Sequence, residues 1–212
     1  MDPVIALLSI LGTTAIGTIS PGPSFVVVVR ASAALSRRDG LASALGMGCG
    51  GLVFAGLALA GLQGGVMQVF WVYLVLKVAG GAYLCYLGYR IWRGAKVPLD
   101  TSNGPTVAGG WRKSFAIGLG TQLSNPKTAI WYASVFAAFL PHPIPTWMFW
   151  AVPPLIFIIE TGWYTIVAFA FSAARARAIY LGAKLWIDRF AGGVVMLLGG
   201  KLVLEAVRGR VA

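Results

Sequence analysis

Acidic side chains are scarce in this chain: 6 Asp and Glu stand against 17 Lys and Arg among 212 residues, for a formal net charge of +11. Charged residues of both signs make up only 11% of the sequence, where an ordinary soluble domain has roughly 25%. With 58% hydrophobic residues the chain has too little polar surface to cover a globule in water, which excludes a soluble domain. Histidine occurs once, as His142 in a Pro-rich stretch, so neither histidine catalysis nor a His-based metal site is expected. Cys49 and Cys85 are the only cysteines, and both fall inside apolar runs, where cysteine acts as a small apolar filler. No disulfide, metal or other cofactor is expected from them. A nucleotide loop is lacking too. Gly46-Met-Gly-Cys-Gly-Gly51 has the glycines but lies inside an apolar helix with no strand before it. Gly46 and Gly50 read instead as a small-residue face for close helix packing.

What the chain does have is apolar length. Val4–Val29, Leu41–Leu62, Val69–Ile91, Phe115–Phe139, Trp147–Ala174 and Phe190–Val207 each approach or exceed the ~20 residues that cross a bilayer. They use most of the chain and predict an all-α integral membrane protein of six transmembrane helices. Asp2 precedes the first run, which holds its own prolines. It therefore reads as a mature helix and not as a cleavable signal peptide, which has a basic start and a shorter apolar core.

The cations are placed unevenly. Arg30, Arg37 and Arg38 form one short group, Arg90, Arg93, Lys96, Arg112 and Lys113 a second, and Arg175, Arg177, Lys184 and Arg189 a third. If the helices alternate in direction, all three groups fall on one face, while the other keeps only Arg208 and Arg210. The positive-inside rule then puts the basic loops in the cytoplasm and both termini outside. Contacts with anionic lipid headgroups follow, and a nucleic-acid partner does not.

The longest polar stretch, Arg93–Lys113, carries the Pro, Gly, Asp and Asn of a flexible linker. It divides the chain into a first three-helix repeat over 1–92, a cytoplasmic linker over 93–112 and a second repeat over 113–212. The halves resemble each other. Lys77-Val-Ala-Gly-Gly81 with Gly88 recurs 112 positions later as Arg189-Phe-Ala-Gly-Gly193 with Gly200. Proline breaks correspond as well, Ser20-Pro-Gly-Pro23 in helix 1 and Asn125-Pro-Lys127 in helix 4. Because three is odd, the second repeat enters the membrane inverted. Inverted repeats with matching broken helices are the sequence pointer to a transporter core, although Gly-Gly pairs also recur in membrane helices for packing alone.

Proline in a helix removes one N–H and displaces the carbonyl four residues back. Pro21 and Pro23 are thus expected to free the carbonyls of Gly17 and Ile19, and Pro126 that of Gln122. Polar backbone freed in hydrocarbon must face protein, water or ligand. By helix rise, Pro23 lies about 10 Å from Arg30 and Pro126 about 20 Å from Lys113, so both breaks fall near mid-bilayer. Gly22-Pro23 and Asn125-Pro126 each restart a helix with a cap residue before proline. The N–H groups of Ser24–Val26 and Lys127–Ala129 would then point at the membrane centre, where partial positive charge suits a carboxylate. Lys127 adds a full charge, making this a candidate anion site.

Ionisable residues inside the spans are few: Lys77, Lys127, Glu160, Lys201 and Glu205. Such residues carry a functional expectation because intramembrane charge is costly. Glu160 lies mid-span and is a candidate to receive a substrate ammonium, to carry a coupling proton, or to pair with Lys77 or Lys127. Lys201 and Glu205, four apart, read as a local pair.

Ser20-Pro-Gly-Pro23, Arg30 with Ser36-Arg-Arg-Asp-Gly-Leu41, Gly46 with Gly50, Lys77-Val-Ala-Gly-Gly-Ala-Tyr-Leu84 with Gly88, and Asn125-Pro-Lys127 together resemble the LysE/RhtB family of amino-acid exporters over nearly the whole chain. The resemblance implies a bacterial inner-membrane exporter of amino acids or related zwitterions, driven by the proton-motive force and often oligomeric. It also implies that Pro21, Gly22, Pro23, Asn125, Pro126 and Lys127 are core-site positions. With Ser20, Ser24 and Glu160 they form the candidate substrate site, and Lys77 and Glu160 are candidates for coupling. Two other classes of function stay open on sequence: a membrane enzyme acting on lipid-linked substrates, and a scaffold subunit that transports nothing.

Overall fold

The computed structural model describes residues 2–63, 70–97, 109–141 and 143–208. Among these are eight α-helices: α1 Pro3–Ile19, α2 Pro23–Arg30, α3 Arg37–Gln63, α4 Phe70–Gly94, α5 Trp111–Ser124, α6 Pro126–Phe139, α7 Thr146–Ser172 and α8 Ala174–Arg208. A π-helical turn, Ala31–Leu35, follows α2. Most of the linker expected over 93–112, His142, the loop beyond Gln63 and residues past Arg208 lie outside the described residues, as do the side chains of Lys77 and Glu205.

Helices α3 (over Arg37–Gly61) and α7 are long and apolar enough to cross a membrane by themselves. The pair of α1 and α2 with its π-helical turn passes the same test jointly, bent by 58° at its break. Large apolar side chains stand fully outward on these and other helices, Trp150 at 80% and Leu197 at 76% exposure, as a hydrocarbon surrounding requires.

Two basic stretches read as loops are helical. Arg30 closes α2, and only the turn Ala31–Leu35 and an extended Ser36 separate it from α3. Ser36 then caps α3, its Oγ accepting the Asp39 N–H at 3.1 Å. The third basic group lies within α8, which runs unbroken from Ala174. Its Ala, Arg, Leu and Lys content favours helix and contains no proline, and charge by itself does not end a helix. Conversely, Pro153 and Pro154 sit inside α7 without ending it.

Packing relies on glycine. On the α4–α8 contact a Cβ at Gly88 would come within 2.6 Å of the Gly192 carbonyl and one at Gly199 within 2.7 Å of the Cys85 amide. The expected Gly46 and Gly50 face does pack closely: Gly46 abuts the α5 backbone at Phe115 and Leu119, and Gly50 abuts the Gln122 side chain. Two buried apolar clusters result. One joins Ile10, Leu84, Tyr132, Phe136 and Ile156, the other Phe25, Val28, Met47, Tyr164 and Phe171. The broken helices supply Tyr132 to the first and Phe25 to the second, with the polar residues of the breaks close by.

Candidate functional site

Each break is made by its own residues. At the first, Ser20 turns to an extended conformation (φ −70°, ψ 124°) and Gly22 is fully extended before α2 restarts at Pro23. A residue before proline is pushed out of the helical region, and here two such residues act in series. At the second, Asn125 (φ −79°, ψ 107°) ends α5 and caps α6. Its side-chain oxygen accepts the Lys127 N–H at 3.0 Å.

The carbonyls expected to be freed are partly retaken. The Ser20 N–H returns to the Gly17 carbonyl at 3.3 Å and the Asn125 N–H to the Gln122 carbonyl at 3.2 Å, because each chain tightens by one residue before it breaks. Each of those two carbonyls thus keeps one backbone partner across the break. On the donor side, Val26 bonds the Gly22 carbonyl at 3.0 Å and Ala129 the Asn125 carbonyl at 3.1 Å. Ser24, Phe25 and Thr128 are left as first-turn donors with no acceptor inside their helix, and α2 has no side-chain cap.

The two breaks interlock. Ser24 Oγ donates to Gln122 Oε1 at 2.6 Å, and Asn125 Nδ2 donates to Ser24 Oγ at 3.1 Å. Lys127 Nζ crosses to Ser20 Oγ at 3.3 Å. Gly22 lies alongside it, a Cβ there standing at an ordinary contact distance of 3.4 Å from Nζ. Eight of the nine residues proposed as a substrate site thus touch or adjoin one another at the crossing: Ser20, Pro21, Gly22, Pro23, Ser24, Asn125, Pro126 and Lys127.

Glu160, from α7, is reached through a residue that sequence reasoning missed. Gln122 Nε2 donates to Glu160 Oε2 at 2.8 Å, and Tyr132 OH donates to Oε1 at 2.9 Å. Glu160 is buried at 3% exposure, and its carboxylate is met by these two neutral donors, while Lys127 turns to Ser20. The absence of a side chain at Gly51 makes the space, because a Cβ there would strike the Glu160 carboxylate. Tyr164, one turn further along α7, lines the same crevice as Ser24. Gln122 had a readable signal, a polar residue in an apolar span three positions before a break. Tyr132 and Tyr164 had none, since tyrosine is equally at home in a core.

Two spaces meet at Lys127. A crevice of about 40 Å³ runs past Ser24, Gln122, Tyr132 and Glu160, room for about three waters. A cleft of about 640 Å³ opens on the other side and is lined by Arg90, Lys184 and Asp188 as well as by Ser20, Gly22, Asn125 and Lys127. Of these two spaces, the cleft is the one large enough to admit a small organic solute.

A helical protein with apolar outer faces, two broken helices crossing and a polar cleft at the crossing is a membrane transporter in outline. The comparisons give that outline its family: the family model for the LysE type translocator matches residues 15–206, and the chain belongs to that family. It is 35% identical to the threonine efflux protein of Escherichia coli K12 over 90% of this chain and 93% of the relative. It is 31% identical to the uncharacterized membrane protein YahN of the same organism, over 99% and 94%. The homoserine/homoserine lactone efflux protein of Salmonella typhimurium LT2 is 26% identical over 90% and 92%. No solved structure matches the chain. Membership makes the chain a translocator, and the lipid-directed enzyme considered on sequence gives way to it.

Proposed function

We propose that this chain is a secondary transporter that exports an amino acid or a related small zwitterion across the bacterial inner membrane. The observation that carries the reading is the crossing of the two breaks, where Lys127 and the uncapped first turn of α2 meet at the head of a cleft of about 640 Å³. Lys127 and the α2 N–H groups hold the carboxylate there. The efflux proteins named for threonine and homoserine, similar over nine-tenths of this chain, support an amino-acid substrate.

The architecture proposed is six spans in two inverted three-helix repeats, with α1 plus α2 and α5 plus α6 as the broken spans and both termini outside. Packing supports it. Gly81 abuts Gly199 and Gly88 abuts Gly192, an antiparallel pairing centred near Leu84 and Met196, which lie 112 positions apart like Lys77 and Arg189. Rocking of one repeat against the other would then open the site alternately. The basic ends of the helices face the cytoplasm and its anionic lipids, so the cleft, with Arg90 and Lys184 at its wall, is the loading side. Protons are the proposed coupling ion and Glu160 their carrier. Its oxygens are held by two uncharged donors, Gln122 and Tyr132, so a proton can come and go without breaking an ion pair. The Tyr132 hydroxyl can turn from donor to acceptor.

Reconstituted protein tests this reading. Proteoliposomes loaded with an amino-acid panel should show flux that follows an imposed proton gradient and collapses with an uncoupler. No gradient-dependent flux of any amino acid, in vesicles where the protein is inserted and monodisperse, would sink it.

A further inference from the structure

The cleft holds a feature that the crossing does not use. Asp188, on α8, is buried at 3% exposure and lines the cleft. One of its oxygens, Oδ2, accepts from Lys184 Nζ at 2.7 Å, and Lys184 also donates to the Ala95 carbonyl at 3.4 Å. The other oxygen, Oδ1, is buried with no hydrogen-bond partner among the described residues. A buried acceptor left unpaired is costly and rare, so this carboxylate has acceptor capacity that the fold does not use. Asp188 is also the single acidic side chain among the described residues lining the cleft, where Arg90, Lys127 and Lys184 are the cations. It shares the cleft wall with Lys127.

A small zwitterion entering this cleft meets cations for its carboxylate and, among the described residues, a single carboxylate for its ammonium. Glu160 is poorly suited to that task in this conformation. Both its oxygens are engaged, and the crevice beside it, about 40 Å³, takes only about three waters. Resting on the proposal of amino-acid export, we propose that Asp188 is the ammonium-recognising residue of the cleft. An α-amino acid is held with its carboxylate toward Lys127 and its ammonium on Asp188 Oδ1, so that a free amino group is a condition of loading. The two ends of the ligand are then read by different helices, α6 through Lys127 and α8 through Asp188. Side-chain selectivity is left to the apolar and aromatic walls of the cleft, such as Tyr83 and Tyr86.

The test is a set of ligand-induced thermal stabilisation titrations on the purified chain. Each proteinogenic amino acid and homoserine is paired with the 2-hydroxy acid of the same side chain, in which a hydroxyl replaces the ammonium. Wild type should bind at least one amino acid about tenfold or more tightly than its hydroxy acid, the scale of one charge-assisted hydrogen bond. Asp188→Asn should lose that preference, with amino-acid affinity falling about tenfold or more and hydroxy-acid affinity moving less than about twofold. Asp188→Glu, which keeps the carboxylate, and Lys184→Met, which removes the partner of Oδ2 but keeps the Asp188 carboxylate, should both retain the preference. A folded Asp188→Asn with the wild-type preference overturns the assignment. If Asp188→Asn does not fold, loss of the preference in folded Asp188→Glu and Lys184→Met overturns it equally. Wild type that binds amino acids, loses them in Lys127→Met and keeps its preference in Asp188→Asn contradicts this inference alone. Wild type that binds no amino acid contradicts the export reading and this inference with it.

Discussion

Ser24 donates its hydroxyl hydrogen to Gln122 Oε1 across 2.6 Å, and this buried bond joins the first turn of α2 to the last turn of α5. Gln122 passes the link on to Glu160 through its amide nitrogen at 2.8 Å. One amide therefore couples both broken helices to the acidic residue of α7, and a displacement of either break is felt at the carboxylate.

Gln122→Leu preserves the approximate volume and removes both bonds. Ser24 loses an acceptor and Glu160 a donor, each at a buried position, so the variant should be about 1–3 kcal/mol less stable. Equilibrium unfolding in detergent measures this loss. A variant as stable as wild type would show that the amide link contributes nothing to the fold.

Gly51→Ala places a methyl group against the Glu160 carboxylate and 3.1 Å from the Tyr132 hydroxyl. A carboxylate held by two buried hydrogen bonds cannot move aside without breaking one of them. Transport should fall at least about tenfold, for an effect of one such bond, while the protein still inserts. Flux in proteoliposomes at matched protein density provides the comparison.

Gly88 and Gly200 stand 112 positions apart, like Gly81 and Gly193, yet should respond in opposite ways. A Cβ at Gly88 meets the Gly192 carbonyl at 2.6 Å and Met196 at 2.7 Å, whereas at Gly200 nothing lies within 4 Å. Gly88→Val overpacks the α4–α8 contact and should cost about 1–3 kcal/mol or more. Gly200→Ala should be neutral or stabilising by up to about 1 kcal/mol, because alanine is the better helix former. Thermal unfolding of the two variants side by side reads both signs.

Asp39, in the first turn of α3, accepts from the Gly110 N–H at 2.9 Å and from Ser114 Oγ at 2.8 Å through Oδ1, and from Ser36 through Oδ2. It thereby pins the start of α5 to the start of α3. Asp39→Ala orphans these donors and should destabilise by about 1–3 kcal/mol, with proteolysis near Gly110 accelerated. An unchanged cleavage rate and melting temperature would show that α5 is anchored by other contacts.

The breaks at Ser20–Pro23 and Asn125–Pro126 were legible in the sequence because proline paired with a glycine or asparagine cap fixes the backbone locally. Pro153 and Pro154 show the limit of that reasoning: with Val152 before them and no cap residue, α7 continues through. Lys127 and Glu160 stood out as charges in apolar runs, but which group each would meet was not readable. Their partners Ser20, Gln122 and Tyr132 come from other helices, and such pairings depend on crossing angles that no local pattern encodes. Asp188 was hidden for a different reason. It sits among cations that read as a loop, and only the uninterrupted course of α8 carries it into the cleft wall.

The central claim is that the crossing of the two breaks binds the carboxylate of an exported amino acid through Lys127. The most direct measurement is gradient-driven flux of a bound amino acid in proteoliposomes carrying wild type or Lys127→Met, the latter shown folded by its elution and melting. The account predicts flux in wild type and its loss, by about a hundredfold, in the variant, on the scale of a desolvated charge contact. Wild-type flux surviving in folded Lys127→Met would contradict it.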